Sequence, residues 1–82
     1  MTILDLTCEQ EEYLKNHQLV KKYQKAKELF EQNSFHPSLN VELLEPKHRL
    51  IYSLRLDKKY RVIFIYVAKQ EVEILTITNH YK

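Results

Sequence analysis

The segment Asn33-Ser34-Phe35-His36-Pro37-Ser38 divides the chain into two parts of different character. Proline has no backbone N–H to donate and disfavours helix in the residue before it, so a helix that enters this segment must end there. Before the segment, apolar residues recur at spacings of three and four; after it, short runs rich in Val, Ile, Tyr and Thr follow one another. We therefore expect a helical first half and a strand-forming second half.

The first half predicts a short strand followed by two helices. Residues 2–6 are apolar at alternate positions, which is typical of a strand, and Thr7-Cys8-Glu9-Gln10 has the form of a capping box. The first helix is therefore expected to begin at Cys8. The second helix is indicated by apolar residues at helical spacing, which are Leu19, Val20, Tyr23, Ala26, Leu29 and Phe30. A break near Asn16-His17 would make the two helices a hairpin.

The second half predicts four strands, over residues 41–44, 49–56, 60–68 and 72–78. The short connections Glu45-Pro46, Asp57-Lys58-Lys59 and Lys69-Gln70 force neighbouring strands to run antiparallel. The expected fold class is α+β: one domain over residues 1–82, with a helical hairpin packed on one face of a mainly antiparallel sheet. The other face is left for function. Because the chain has no glycine, turns that need positive φ are expected to use Asn, Asp or Lys.

The composition indicates a cytoplasmic protein without membrane attachment. The single cysteine, Cys8, cannot form an internal disulfide, which points to a reducing compartment. No apolar stretch approaches the roughly 20 residues that a membrane-spanning helix needs. No cluster of ligand residues indicates a metal ion, and we expect no cofactor.

The charge of the chain is unevenly distributed. The net charge is only +2, but the cationic residues crowd one stretch of the second half, where they are Lys47, His48, Arg49, Arg55, Lys58, Lys59 and Arg61. Many of the acidic residues lie in the first half. A local cationic patch is therefore expected despite the modest total.

Four short motifs follow the helical half in a recognisable order: His36-Pro37-Ser38-Leu39, Tyr52-Ser53-Leu54-Arg55, Tyr60-Arg61 and His80-Tyr81. This series resembles the RelE/ParE toxin superfamily over roughly positions 3 to 82. The resemblance implies a RelE-like fold and the toxin component of a type II toxin–antitoxin system. Members of the RelE, HigB, YoeB and YafQ type are ribosome-dependent endoribonucleases that cut mRNA, whereas ParE-type members poison DNA gyrase.

The resemblance also implies a set of site residues. The His80-Tyr81 ending is similar to that of the YoeB branch, in which the histidine is the general acid and the tyrosine orients the substrate. The YoeB and YafQ branches place a catalytic carboxylate or histidine thirteen positions before the residue that matches Arg55, and Glu42 occupies that position here. The catalytic candidates are Glu42, Arg55, Arg61, His80 and Tyr81.

These residue types suit cleavage of RNA by its own 2′-hydroxyl, which needs a base, an acid and cations around the phosphate. Glu42 would accept the 2′-proton and His80 would protonate the leaving 5′-oxygen. Arg55 and Arg61 would donate to phosphate oxygens, and Tyr81 would stack on an exposed base.

The register of one hairpin bears on this hypothesis. If its loop is Asp57-Lys58-Lys59, Arg55 lies opposite Arg61, and such like charges are destabilising unless an anion is held there. If the loop is only Lys58-Lys59, Arg55 lies opposite Val62.

The implied partners are a cognate antitoxin, the ribosome and mRNA, with DNA reached only through the antitoxin. Two other functions remain open, since the low net charge also fits them: a non-enzymatic, ParE-like gyrase inhibitor, and a family member that only binds its antitoxin. Without the resemblance, Glu42 is a charge that blocks pairing at a sheet edge. Tyr52, Tyr60 and Tyr66 are expected to pack, and His36 is expected to stabilise its turn.

Overall fold

The computed structural model describes residues 1–79, and the fold is α+β as expected, with two helices against one five-stranded sheet. Its elements are β1 (Thr2–Ile3), α1 (Cys8–Asn16), α2 (Val20–Gln32), β2 (Glu42–Leu43), β3 (Ile51–Arg55), β4 (Arg61–Ala68) and β5 (Glu71–Thr78). Two short 3₁₀ turns, Pro37–Leu39 and Lys47–Arg49, flank β2. Within the described range no helix is long and apolar enough to cross a membrane.

The strands lie in the order β1-β5-β4-β3-β2, and β2 to β5 pair antiparallel as the short connections predicted. The strand β1 runs parallel to its neighbour β5, held by hydrogen bonds from the Thr2 N–H to the Gln70 carbonyl (2.7 Å) and from the Leu4 N–H to the Val72 carbonyl (2.9 Å). The Ile3 N–H on the outer side of β1 donates to the Glu31 carboxylate of α2, at 3.1 Å. A helical side chain thus satisfies a backbone donor at the sheet edge.

Two strands, β1 and β3, are shorter than predicted. The first covers two residues rather than 2–6, and the strand expected from residue 49 begins at Ile51 because Lys47–Arg49 form a 3₁₀ turn. Leu50 ends that turn with φ of 54°. The described residues with positive φ are Gln18, Asn40 and Leu50. Asn40 fits the expectation of Asn, Asp or Lys at such positions, whereas Gln18 and Leu50 do not. Leu50 and Gln18 each carry a left-handed conformation that costs about 1–2 kcal/mol in an L-residue.

The hydrophobic core lies between the helices and one face of the sheet. Phe30 of α2 and Phe64 of β4 are fully buried and meet edge to face, with ring centroids 5.3 Å apart. Leu54 and Val62 join the same core. Since side chains alternate along a strand, the residues between these core positions point to the opposite side of the sheet. This side, which we call the helix-free face, carries Glu42, Ser53, Arg55, Arg61 and Ile63.

The capping box of α1 also anchors that helix to the sheet. The Thr7 hydroxyl accepts from the Gln10 N–H, and Gln10 Oε1 accepts from the Thr7 N–H, both at 3.1 Å. Gln10 Nε2 donates to the carbonyls of Ile74 (3.0 Å) and Leu75 (3.3 Å). Leu75 is the extra residue of a β-bulge, since Ile63 pairs with Thr76 while Phe64 pairs with Ile74. The side-chain amide of Gln10 therefore completes the cap of α1 and donates hydrogen bonds to the backbone carbonyls at the bulge.

Gln10→Glu is expected to lower the free energy of unfolding by about 1–2 kcal/mol, because the carboxylate keeps the capping acceptor but loses both donors to the bulge carbonyls. Glutamate is itself a favoured residue at this position of a capping box. If Gln10 acted only through the cap of α1, the substitution would therefore leave the free energy of unfolding unchanged. Urea unfolding measures the difference, and Glu12→Gln on the exposed side of α1 is the control. A stability equal to wild type would show that the contact with the bulge contributes nothing.

Candidate functional site

Two arginines face each other across the β3–β4 hairpin on the helix-free face. Arg55 pairs with Arg61, and the Leu56 N–H donates to the Tyr60 carbonyl at 3.0 Å. The loop therefore consists of Asp57-Lys58-Lys59, and of the two registers that the sequence left open, the structure has the one with Arg55 opposite Arg61. The alternative register, with Arg55 opposite Val62, is excluded because Val62 pairs with Leu54.

The side chain of Asp57 holds this loop in place. Its Oδ1 accepts from the N–H groups of Lys59 and Tyr60, both at 2.8 Å, and its Oδ2 lies 2.7 Å from Lys22 Nζ of α2. Desolvation alone would raise the pKa of Asp57, but the hydrogen bonds from Lys22, Tyr60 and Lys59 lower it from 3.8 to about 2. The carboxylate thus sets the turn and ties it to the helical layer.

The depressed pKa predicts a pH dependence of stability. Between pH 3.8 and about 2 the unfolded chain binds a proton at Asp57 that the folded chain does not, so the contribution of Asp57 is complete above pH 3.8 and is lost as pH falls toward 2. Asp57→Asn removes the charge and keeps one oxygen for the turn. The difference in free energy of unfolding between wild type and Asp57→Asn should be largest at neutral pH and shrink below pH 3.8.

Chemical denaturation of both proteins at a series of pH values measures this difference. Glu45→Gln, at an exposed position, is a control that removes a carboxylate elsewhere. A difference that stays constant from pH 7 to pH 2 would contradict the role given to Asp57.

Contacts with Ser53 and Asn40 orient the side chain of Arg61. Its Nε donates to the Ser53 hydroxyl at 3.1 Å, and its Nη2 donates to the Asn40 carbonyl at 2.8 Å. Ser53 is fully buried, so its hydroxyl sits in a fixed place. Because the guanidinium is planar, two such contacts set the direction of the whole group. Arg55, in contrast, is exposed at the end of β3.

Glu42 lies beside this arrangement on the edge strand β2. It pairs with Ser53 across the strands, and its Oε1 accepts from Asn40 Nδ2 at 3.2 Å. The structure therefore brings Glu42, Arg55 and Arg61 together on one face. His80 and Tyr81 lie outside the described residues; β5 ends at Thr78, which pairs with Arg61.

Ser53 and Asn40 were not among the site residues predicted from the sequence. A signal for Ser53 was present, because it precedes Arg55 by two residues and therefore shares its face of the strand. A signal for Asn40 was also present: asparagine tolerates the left-handed conformation better than most residues, and it directly follows His36-Pro37-Ser38-Leu39. The contacts of both residues with Arg61 depend on the tertiary structure.

Other candidate residues take structural roles. Tyr52 stacks on Phe64 (5.6 Å between centroids) and meets Tyr66 edge to face, as expected of packing residues. His36 Nδ1 accepts from the Ser38 N–H at 3.1 Å, which confirms its role in the turn. The Tyr60 hydroxyl lies 3.1 Å from His17 Nδ1. Among residues 1–79, no group of three or more His, Cys, Asp or Glu side chains is placed to hold a metal ion.

The facing arginines predict an unusual effect of mutation. Arg55→Gln should raise the free energy of unfolding at low ionic strength by about 0.5 kcal/mol, because it relieves the repulsion across the hairpin. Added sodium chloride should diminish the gain, since salt screens exposed charges. Thermal or urea unfolding at two salt concentrations tests this, with Arg49→Gln as the matched control outside the pair. A loss of stability in Arg55→Gln would show that the two charges do not oppose each other.

Comparison with known protein families gives a match over most of the chain. Residues 9–80 match a family described as the RelE-like toxin of the type II toxin–antitoxin system HigB. A curated protein of Haemophilus influenzae, described as uncharacterized, is 46% identical over 44 residues, which are 54% of this chain and 43% of that protein. The aligned part of the chain thus spans less than half the length of this curated relative.

Solved structures share the fold over nearly the whole chain. A YoeB/ParE toxin from Agrobacterium tumefaciens has a TM-score of 0.71 at 17% identity, with 99% of this chain and 100% of that chain covered. A heterotetrameric YoeB-YefM toxin–antitoxin complex from Staphylococcus aureus has a TM-score of 0.70 at 20% identity, covering 98% of this chain and 94% of the other. At these identities the likeness shows the fold alone.

Proposed function

Because this chain belongs to the RelE-like toxins of the type II toxin–antitoxin system HigB, we propose that it is a ribosome-dependent endoribonuclease that cleaves mRNA. The observation that carries the proposal is the convergence of Glu42, Arg55 and Arg61 on the helix-free face. A carboxylate beside two facing guanidinium groups suits a phosphodiester, since the cations attract the phosphate and the carboxylate accepts a proton.

The proposed reaction is an attack by the substrate's own 2′-hydroxyl. The 2′-oxygen forms a bond to phosphorus while the bond from phosphorus to the 5′-oxygen breaks, which leaves a 2′,3′-cyclic phosphate and a 5′-hydroxyl. Glu42 takes the 2′-proton, and His80 gives a proton to the leaving oxygen. Arg55 and Arg61 stabilise the charge that develops on the phosphate, and Tyr81 stacks on a neighbouring base.

The position of β5 supports the part given to the chain terminus. Thr78 pairs with Arg61, and His80 follows Thr78 by two residues in the sequence. The strand that leads to His80 and Tyr81 therefore ends beside the arginine pair.

The proposed partners follow from the same surface. The ribosome and its mRNA present phosphates to the cationic hairpin, which carries Arg55, Lys58, Lys59 and Arg61. An acidic antitoxin segment would be attracted to the same charges, and two of the similar solved structures contain a YefM antitoxin. We propose that a cognate antitoxin binds this chain and blocks access of mRNA to Arg55 and Arg61.

The test is induced expression of wild type, Glu42→Gln and His80→Ala in a bacterial host, with growth measured and the 5′ ends of translated messages mapped. Wild type should arrest growth and produce new cuts inside open reading frames. Both variants should lose the cuts, because removal of a general acid or base typically slows such a reaction about 10²–10⁴-fold. His48→Ala, at an exposed position in the 3₁₀ turn before β3, is the matched histidine control and should behave as wild type.

Two outcomes would contradict the proposal. Growth arrest without new cuts, persisting in His80→Ala, would point to the gyrase inhibitor. Absence of arrest in any form of the protein would point to a family member that binds its antitoxin without toxicity.

A further inference from the structure

The turn between the helical half and β2 ends at Asn40 in an uncommon conformation. The 3₁₀ turn Pro37–Leu39 closes with a hydrogen bond from the Asn40 N–H to the Pro37 carbonyl at 3.2 Å. Asn40 has φ of 45° and ψ of 54°, in the left-handed region. Most L-residues avoid this region, and asparagine is among those that tolerate it.

In this conformation Asn40 accepts a hydrogen bond from one site residue and donates a hydrogen bond to another. The Asn40 carbonyl accepts from Arg61 Nη2 at 2.8 Å, and the Asn40 side-chain amide donates to Glu42 Oε1 at 3.2 Å. Arg61 and Glu42 come from different strands, β4 and β2, which are separated by β3. Asn40 thus bridges two groups that also meet at Ser53 of the intervening strand, since Glu42 pairs with Ser53 and Arg61 Nε donates to the Ser53 hydroxyl.

We propose that Asn40 is a positioning residue that holds Glu42 and Arg61 in a fixed relation for RNA cleavage, an inference that rests on the nuclease function proposed above. Asn40 acts through its two neighbours and takes no proton itself. The base must reach the 2′-hydroxyl while the guanidinium reaches the phosphate of the same nucleotide, so their relative placement matters as much as their presence.

The chemistry of asparagine suits both contacts. Glycine would adopt the same backbone conformation and keep the carbonyl in place, but it has no amide to offer Glu42. Aspartate also tolerates the left-handed region, but it would place a second carboxylate beside Glu42. Alanine would lose the amide and resist the conformation as well. Asn40→Gly is therefore the variant that removes the contact with Glu42 and keeps the contact with Arg61.

The experiment compares purified wild type, Asn40→Gly and Asn40→Asp in single-turnover cleavage of mRNA on ribosomes, together with their affinity for the ribosome. Asn40→Gly should slow cleavage about tenfold while affinity stays within about twofold, because only the placement of the base is relaxed. Asn40→Asp should be slowed at least as much. Gln18→Gly is the matched control: Gln18 also has positive φ, at 57°, is exposed, and lies in the connection between α1 and α2.

A double-mutant cycle with Glu42→Gln separates positioning from a general structural effect. If Asn40 acts through Glu42, Asn40→Gly should cause no further loss in the Glu42→Gln background. Equal losses in both backgrounds, or no loss in the wild-type background, would overturn the inference while leaving the nuclease function intact. Absence of cleavage by wild type would overturn the nuclease function and the inference with it. Failure of the inference alone is recognised because wild type still cleaves mRNA.

Folding of the variants is checked by urea unfolding. Asn40→Gly should be as stable as wild type to within about 1 kcal/mol, since glycine accepts the left-handed conformation at no steric cost.

Discussion

The register of the β3–β4 hairpin is the constraint on which the rest of the structure depends. A slip of one residue would exchange the two faces of β3 relative to β4, because side chains alternate along a strand. With β4 in place, Leu54 would then leave the core while Val62 stayed in it, and Arg55 would no longer face Arg61. Asp57 opposes such a slip by accepting two backbone N–H groups of the loop while its second oxygen binds Lys22. One carboxylate therefore helps to fix the core and the candidate site together.

Both helices lie on one face of the sheet and leave the other face open. Polar contacts, in addition to the hydrophobic core, determine where each helix sits. Gln10 joins α1 to the bulge in β5, Lys22 joins α2 to the hairpin loop, and Glu31 joins α2 to the outer side of β1. Apolar packing is not directional, whereas each of these contacts specifies a place along the sheet. The fully buried rings of Phe30 and Phe64 supply the central packing between the two layers.

Much of this architecture follows from local sequence signals. The capping box from Thr7 to Gln10, the start of α1 at Cys8 and the antiparallel order of β2 to β5 rest on local pattern and short connections, and the structure has all three. The parallel pairing of β1 with β5 joins segments far apart in the sequence, so no local pattern indicates it. The positive φ of Leu50 closes a local 3₁₀ turn, but leucine is not a residue type that favours this conformation. The candidate site also has a part that local sequence predicts and a part that it does not. The alternation of side chains places Arg55 and Arg61 on one face. The contacts of Asn40 with Glu42 and Arg61 form only when β2 and β4 are assembled on β3.

The chain has a net charge of only +2, yet the β3–β4 hairpin presents a cationic surface. The chemical nature of the groups that orient Arg61 helps to explain this. The Ser53 hydroxyl and the Asn40 carbonyl are uncharged acceptors, so neither of these two contacts places a negative charge beside the guanidinium. At the loop of the same hairpin, the charge of Lys22 is paired with Asp57. Arg55 adds a second guanidinium directly opposite Arg61, where the two positive potentials reinforce each other. A small total charge is therefore compatible with a strong local field, because the geometry of one hairpin concentrates it.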